Sequence, residues 1–230
     1  PKSVDDIVID YRPARSFVNR FIERDYVQCK WHVAPDRYGY EQLTDPAFIN
    51  ADTTSWLQRC YAAYQQTQGQ SVRFVLKTNR SIDSDDVLGQ LYRAEHGGID
   101  LDKLYQGKTI NSKTGAMRAC WRDHLGISDA ELRPFVEKLV FSNISQSLDE
   151  LSESLNDQLK YAGLQPEPED QTDFRYDGLI ASLHQRGPVS FDDKSFRELC
   201  DRERLWSNEP ALERPYTVGI RSFMHRFDDL

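Results

Sequence analysis

The sequence predicts an α/β protein: a small mixed sheet flanked by helices, followed by a mostly helical extension. Three observations carry this. Two short runs rich in Val, Ile, Tyr and Trp, residues 3–10 (SVDDIVID) and 25–33 (DYVQCKWHV), read as strands. Between Thr54 and Gln66 the apolar residues Trp56, Leu57, Cys60, Tyr61 and Tyr64 repeat at helical spacing, and VRFVLKT (72–78) then reads as a third strand. Beyond Ser81 the pattern turns helical, with two Ser-x-x-Glu capping boxes, Ser128–Glu131 and Ser147–Glu150.

Strand pair, helix, strand describes a sheet with a crossover connection. The basic stretch between the first two strands would close them as a hairpin. After the first capping box, Leu132, Phe135, Val136 and Leu139 share a helical face. After the second, Leu151, Leu155 and Leu159 do so, with Gly163 as a stop. Residues 165–171 (QPEPEDQ) read as a linker, residues 173–186 and 193–206 as further helices, and 216–223 as a strand opening another domain. The division expected is a core over 1–80, a helical extension over 81–166, a helical linker region over 167–215, and the start of a further domain over 216–230.

Composition is that of an ordinary globular protein, 39% hydrophobic and 29% charged. No apolar run approaches the ~18 residues that a membrane span needs. No secretory signal is visible, and because the chain starts at Pro1 an upstream segment is left open. Cys29, Cys60, Cys120 and Cys200 show no metal spacing and read as buried free thiols of a reducing cytoplasm. A net charge of -8 argues against coating nucleic acid by bulk charge, but not against a local basic strip.

Phosphodiester hydrolysis needs a cation held by oxygen ligands, an activated water, and a positive group near the developing charge. An acidic residue at one strand's start and a polar-x-Lys triplet on its neighbour can supply these. Alternation places Gln28 and Lys30 on one face and Cys29 on the other, and Asp6 opens the adjoining Ile7–Ile9 run. Asp6 would be the main ligand to Mg²⁺, with Gln28 offering a neutral oxygen and Cys29 its carbonyl. Lys30 would orient the water and offset charge. Asp5 is the rival or second ligand, since a one-residue register change exchanges it with Asp6. The alternative is that the acids cap a strand and Lys30 is solvated.

Other residues are weighed the same way. His32 is either a phosphate contact or a structural hydrogen-bonder, and Trp31 reads as core. Arg12, Arg15, Arg20 and Arg24, in the link between the strands, either hold a DNA backbone or are solvated. Between Lys103 and Arg122 lie Lys103, Lys108, Lys113, Arg118 and Arg122 with no acid among them, a strip for DNA or a surface loop. Gly107-Lys108-Thr109 lacks the upstream glycine of a phosphate-binding loop, Gly97-Gly98 reads as a turn, and no hydrolase triad or zinc motif is present.

The strings SVDDIVID, DYVQCKWHV and VRFVLKTNRSID, followed by WRDHLGISDAELRPFVEKLVF and SLDELSESLNDQLKYAGL, resemble the PD-(D/E)xK-type nuclease domain of antiphage effectors and its helical extension. The likeness spans residues 3–164. It is to the double-stranded DNA endonuclease domain of CBASS effectors, followed there by a SAVED sensor that binds cyclic oligonucleotides. Related domains occur in antiviral STAND NTPases and in nucleases paired with HerA-type ATPases. The resemblance implies a restriction-endonuclease-like core, Asp6, Gln28 and Lys30 at the catalytic positions, Mg²⁺ as cofactor, and duplex DNA as substrate. It further implies a homo-oligomer on activation, and a SAVED or STAND partner domain in cis or a HerA-type ATPase in trans. Gln28 departs from the acidic residue of the simplest motif, which leaves one negative charge fewer for the metal. The helix that usually precedes the first strand is absent from this sequence. Two alternatives stay open: an inactive nuclease fold serving assembly or recognition, and an RNA-directed nuclease.

Overall fold

A computed structural model describes residues 6–17, 20–33, 36–67, 69–107, 109–143, 148–167, 175–186 and 189–207. The chain divides into two compact units, Pro1–Ser145 and Gln146–Leu230. The first is built on a four-stranded mixed sheet in the order β1-β2-β4-β8, the mixed sheet with helices that the sequence predicts. Strand β1 (Ile7–Phe17) runs antiparallel to β2 (Arg20–Lys30), and β4 (Val72–Thr78) and β8 (Leu139–Asn143) run parallel to β2.

The parallel connection from β2 to β4 requires a crossover, and helix α1 (Trp56–Gln66) supplies it. Ser55 caps this helix, accepting from Gln58 N while the Gln58 side chain accepts from Ser55 N. One sheet face carries Tyr26, Phe74, Leu76, Leu139 and Phe141, and it is the core. Trp56 of α1 packs on Phe141, while Phe135 of α5 (Asp129–Val136) packs between Tyr61, Tyr64 and Phe74. The capping box predicted at Ser128 and Glu131 is present. Smaller elements complete the unit: a strand pair β3 (Arg37–Tyr38) and β5 (Ser81–Ile82), helix α2 (Val87–Leu91), and a hairpin β6 (Tyr92–Arg93) and β7 (Gly98–Ile99). Helices α3 (Leu101–Gln106) and α4 (Lys113–Leu125) follow.

Edge strand β8 is covered rather than exposed. Its Phe141 N donates to Gly97 O at 2.7 Å and its carbonyl accepts from the Tyr92 hydroxyl. Gly97 has φ +68°, and a Cβ there would lie 2.7 Å from Phe141 O, so the approach requires glycine. The outer edge of a sheet needs such covering, because its unpaired groups invite other chains.

The structure redraws several boundaries. The hairpin is longer than expected: β1 continues to Phe17, and the ladder resumes at Arg15↔Ile22 after an irregularity beyond Asp10. Arg12 and Arg15 therefore lie in a strand and not in a link. Strand β2 ends at Lys30, so His32 follows the strand instead of sharing its face. Leu139, expected on a helical face, opens β8. The helix ends at Val136, and the turn Glu137–Lys138 sends the chain into the sheet, so a core strand comes from the stretch expected to be helical. Trp31, expected in the core, is 50% exposed. All four cysteines are free, but only Cys60 and Cys200 are buried; Cys29 is exposed.

The second unit contains α6 (Leu148–Tyr161), α7 (Arg175–Gln185) and α8 (Asp193–Arg202). Gly163 ends the first at φ +74°. Leu164, Cys200 and Leu205 form a small core with Tyr176 and Trp206 packed on it. The start of the expected linker is tied in: Glu167 is buried, its backbone exchanges hydrogen bonds with the Asn156 side chain, and its carboxylate accepts from Tyr176 N. The box residue Ser147 and the strand expected at 216–223 lie outside the described residues. No described helix is long and apolar enough to cross a membrane.

Candidate active site

Asp6, Gln28 and Lys30 come together where β1 begins and β2 ends. Ile7 pairs with Val27, so Asp6 lies across from Gln28. Residues directly opposite share a face, which places Asp6 with Gln28 and Lys30 on the core-facing side. The parallel register adds Leu76 and Thr78 to that side and Lys77, opposite Cys29, to the other. Gln28 is 3% exposed, Lys30 half-buried and Asp6 exposed. The triplet thus runs from a buried floor to solvent.

One contact organises the group. Asp6 Oδ2 accepts from Gln28 Nε2 and from Cys29 N, both at 2.7 Å. A carboxylate only accepts, so the Gln28 amide must turn its NH₂ to Asp6 and its oxygen away. Within a strand a residue's N–H and C=O point to the same neighbour, so the Cys29 carbonyl faces the Asp6 edge too. Asp6 Oδ1 has no hydrogen-bond partner among the described residues. These are hard oxygen donors of the kind that Mg²⁺ takes. No group of three or more His, Cys, Asp and Glu side chains is assembled for a metal among the described residues, so a cation here would have Asp6 as its carboxylate and neutral oxygens besides. For Gln28 Oε1 to join Asp6 on one ion, the amide must rotate by half a turn. Asp5 lies outside the described residues.

The stretch after Lys30 is held by residues that sequence reasoning passed over. Asn79 Oδ1 accepts from His32 N at 2.9 Å and its Nδ2 donates to His32 O at 2.7 Å. This side-chain amide acts as one more peptide of β4, extending the ladder past its last pair, Lys30↔Thr78. Arg80 pairs with Asp36 at 2.6 Å and lies over the rings of Phe48 and Tyr38. Thr78 Oγ1 accepts from Arg80 N, which turns the chain out of β4. The sequence signal was available: Asn and Arg directly after a strand invite the question of what they hold. The His32 Nε2 is buried and has no hydrogen-bond partner among the described residues.

The expected basic residues are dispersed. In the antiparallel hairpin the turn is far from Asp6, with roughly 30 Å of strand between Asp6 and Arg15. Arg15 lies over the Tyr11 ring, Arg24 pairs with Asp10, and Arg12 is exposed without an ionic partner among the described residues. For Arg20 only the main chain is described. The members of the strip over 103–122 differ in their surroundings. Arg118 is 7% exposed and donates to the carbonyls of Leu104 and Gly107, which fixes the turn between α3 and α4. Lys103 faces Asp100, and Arg122 faces Asp123. Lys113 remains exposed at the start of α4, and Lys108 lies outside the described residues. The residue missed is Lys77, exposed at the end of β4 without an acidic partner among the described residues.

Asp6 is exposed at this end of the strands. A cavity of about 330 Å³ sits at the opposite end of the parallel strands, lined by Ile22, Val72, Arg93 and Leu139 among others. Of the cations lining it, Arg93 pairs with Asp100 and Arg133 with Asp102.

No family model matches the chain. Over 226 residues, 97% of its length, the chain is 35% identical to CD-NTase-associated protein 4 of Enterobacter hormaechei subsp. hoffmannii (strain UCI 50), of which it spans 45%.

Proposed function

We propose that this chain is the nuclease portion of an antiphage effector, a Mg²⁺-dependent endonuclease that hydrolyses duplex DNA with Asp6, Gln28 and Lys30. The observation that carries the reading is the shared hydrogen bonding of Asp6 Oδ2 by Gln28 Nε2 and Cys29 N, with Lys30 next on the same face. The likeness to a CD-NTase-associated protein over nearly the whole chain supports the defence setting. A partner nucleotidyltransferase system, a sensor domain in cis and assembly into a homo-oligomer on activation belong to the same proposal, as does a cytoplasmic location.

Mg²⁺, when bound, would polarise the scissile phosphate and acidify a bound water. Asp6 would supply the charge that holds it, the Cys29 carbonyl would add a neutral oxygen, and Gln28 would add another once its amide turns. Lys30 keeps a cation beside the developing negative charge, where its ammonium can also orient the attacking water. Among the described residues Asp6 is the carboxylate of the site, and a site with few anionic ligands suits an enzyme that engages DNA once clustering has raised the local concentration of sites.

Plasmid incubated with Mg²⁺ and the clustered chain should be cut, and Lys30→Ala and Asp6→Asn should each lower the rate by at least about a hundredfold. Equal cutting by Lys30→Ala would overturn the assignment, and duplex RNA cut in place of DNA would move it to the RNA-directed class.

A further inference from the structure

The chain leaves the proposed site through Trp31, His32 and Val33. Trp31 is 50% exposed and Val33 is 101% exposed, directly after Lys30. Apolar side chains on a mobile tip would need no explanation, but this tip is clamped. Asn79 bonds both main-chain groups of His32, between the two exposed residues, and Arg80 ties down Asp36 just beyond. The main chain around Trp31 is thereby ordered before any partner arrives, so less conformational entropy is lost on contact.

The surroundings point to what such a partner is. Lys77 is exposed opposite Cys29, one strand away and on the other face from Lys30. Neither lysine has an acidic partner among the described residues, in a chain of net charge -8. An exposed apolar side chain at a strand end that also carries two lysines is a combination that suits a duplex, where a wedge enters at a base step and cations meet phosphates. Ile7, Val8 and Ile9 of the neighbouring strand β1 are exposed as well, so a protein surface is the competing occupant, and two lysines without acidic partners among the described residues favour a polyanion over it. The carboxyl ends of parallel strands, where these residues gather, are also where ligands of α/β sheets bind.

We propose that Trp31 is a substrate contact: duplex DNA laid across the carboxyl ends of β2 and β4 meets Lys30 on one side of the sheet, with Trp31 against a base step and Lys77 on a phosphate. This rests on the nuclease reading. Trp31 wedges into the duplex next to the scissile phosphate and sets which step is presented, while Lys30 acts in the chemistry.

The test measures anisotropy of a short labelled DNA duplex with the 230-residue chain in EDTA, beside Mg²⁺-dependent cutting. Trp31→Ala should weaken duplex binding by about tenfold, with KM rising and kcat nearly kept. Trp31→Phe should restore most of the affinity, and Lys77→Ala should reduce the salt dependence of binding. An unchanged melting temperature would show that the fold is intact. Duplex affinity equal to wild type in Trp31→Ala overturns the inference, as does a change in oligomeric mass with affinity unaltered, which would mark a protein contact. In either case Lys30-dependent cutting can persist, and the nuclease reading survives. Absence of both duplex binding and cutting by the clustered wild-type chain would remove that reading and this inference together.

Discussion

Arg73 lies bidentate on Asp25, Nε to Oδ1 at 2.7 Å and Nη2 to Oδ2 at 2.5 Å, and the Tyr11 hydroxyl donates to the same Asp25 oxygen at 2.8 Å. Asp25 and Arg73 are direct register partners, so this contact from β1, β2 and β4 fastens the hairpin bearing Asp6 and Gln28 to the rest of the sheet. Both charged side chains are largely buried. Removing one partner strands the other's charge, which costs about 3–5 kcal/mol. Asp25→Ala should therefore lower the unfolding free energy by about that amount in urea denaturation, and replacing both Asp25 and Arg73 by apolar residues should recover much of it. A loss below about 1 kcal/mol in the single variant would show that the pair is not buried as described.

Gln28→Glu places a second carboxylate beside Asp6 Oδ2 in place of a donor 2.7 Å away. Two like charges this close cannot both ionise cheaply. The variant should melt lower than wild type in EDTA and regain stability with Mg²⁺ to a greater extent than wild type does. Thermal melts with and without the cation check this, and equal Mg²⁺ responses would argue against a cation site at Asp6.

Arg118 and Lys113 should behave in opposite ways. Arg118 holds two main-chain carbonyls inside the fold, so Arg118→Ala should cost about 2–3 kcal/mol of stability and leave the salt slope of DNA binding unchanged once folded. Lys113 is exposed, so Lys113→Ala should leave stability within about 0.5 kcal/mol. If α4 meets the duplex, the same change should lower the salt slope by about one. Denaturation and salt titrations of the two variants separate the roles.

His124 couples α4 to α1. Its Nε2 lies 2.8 Å from Ser55 Oγ, which also accepts from Gln58 N, and a neutral imidazole with a bare Nε2 can take the hydroxyl proton as an acceptor. Burial lowers the His124 pKa below the ordinary value of 6.5. With the folded pKa depressed, the unfolded chain takes up the proton first. The contribution is therefore whole above about pH 6.5 and is lost as pH falls through the folded value. Stability should decline in that window, and His124→Gln should flatten the decline. Parallel curves for both proteins would show that His124 does not report on folding.

The legibility of this protein divides along a physical line. Alternation and helical spacing are local, so VRFVLKT, the α1 stripe, the Ser128 box and the Gly163 stop could be read from residues alone. So could the shared face of Gln28 and Lys30, since a two-residue repeat needs only a strand. The length of the β1–β2 hairpin was not legible, because its outer half is charged and exposed and its strand character comes from pairing. Strand β8 was hidden for a related reason: five residues are too few for a period, and Leu139 only declares itself beside Phe74. The fate of each cation was decided by tertiary structure as well. Arg118 and Lys113 are equivalent in sequence, yet one meets carbonyls in the interior and the other meets water. The local pattern thus determined which strands carry Asp6, Gln28 and Lys30. The long-range register decided that Asp6 meets Gln28, that Asn79 clamps His32, and that Trp31 stands exposed beside them.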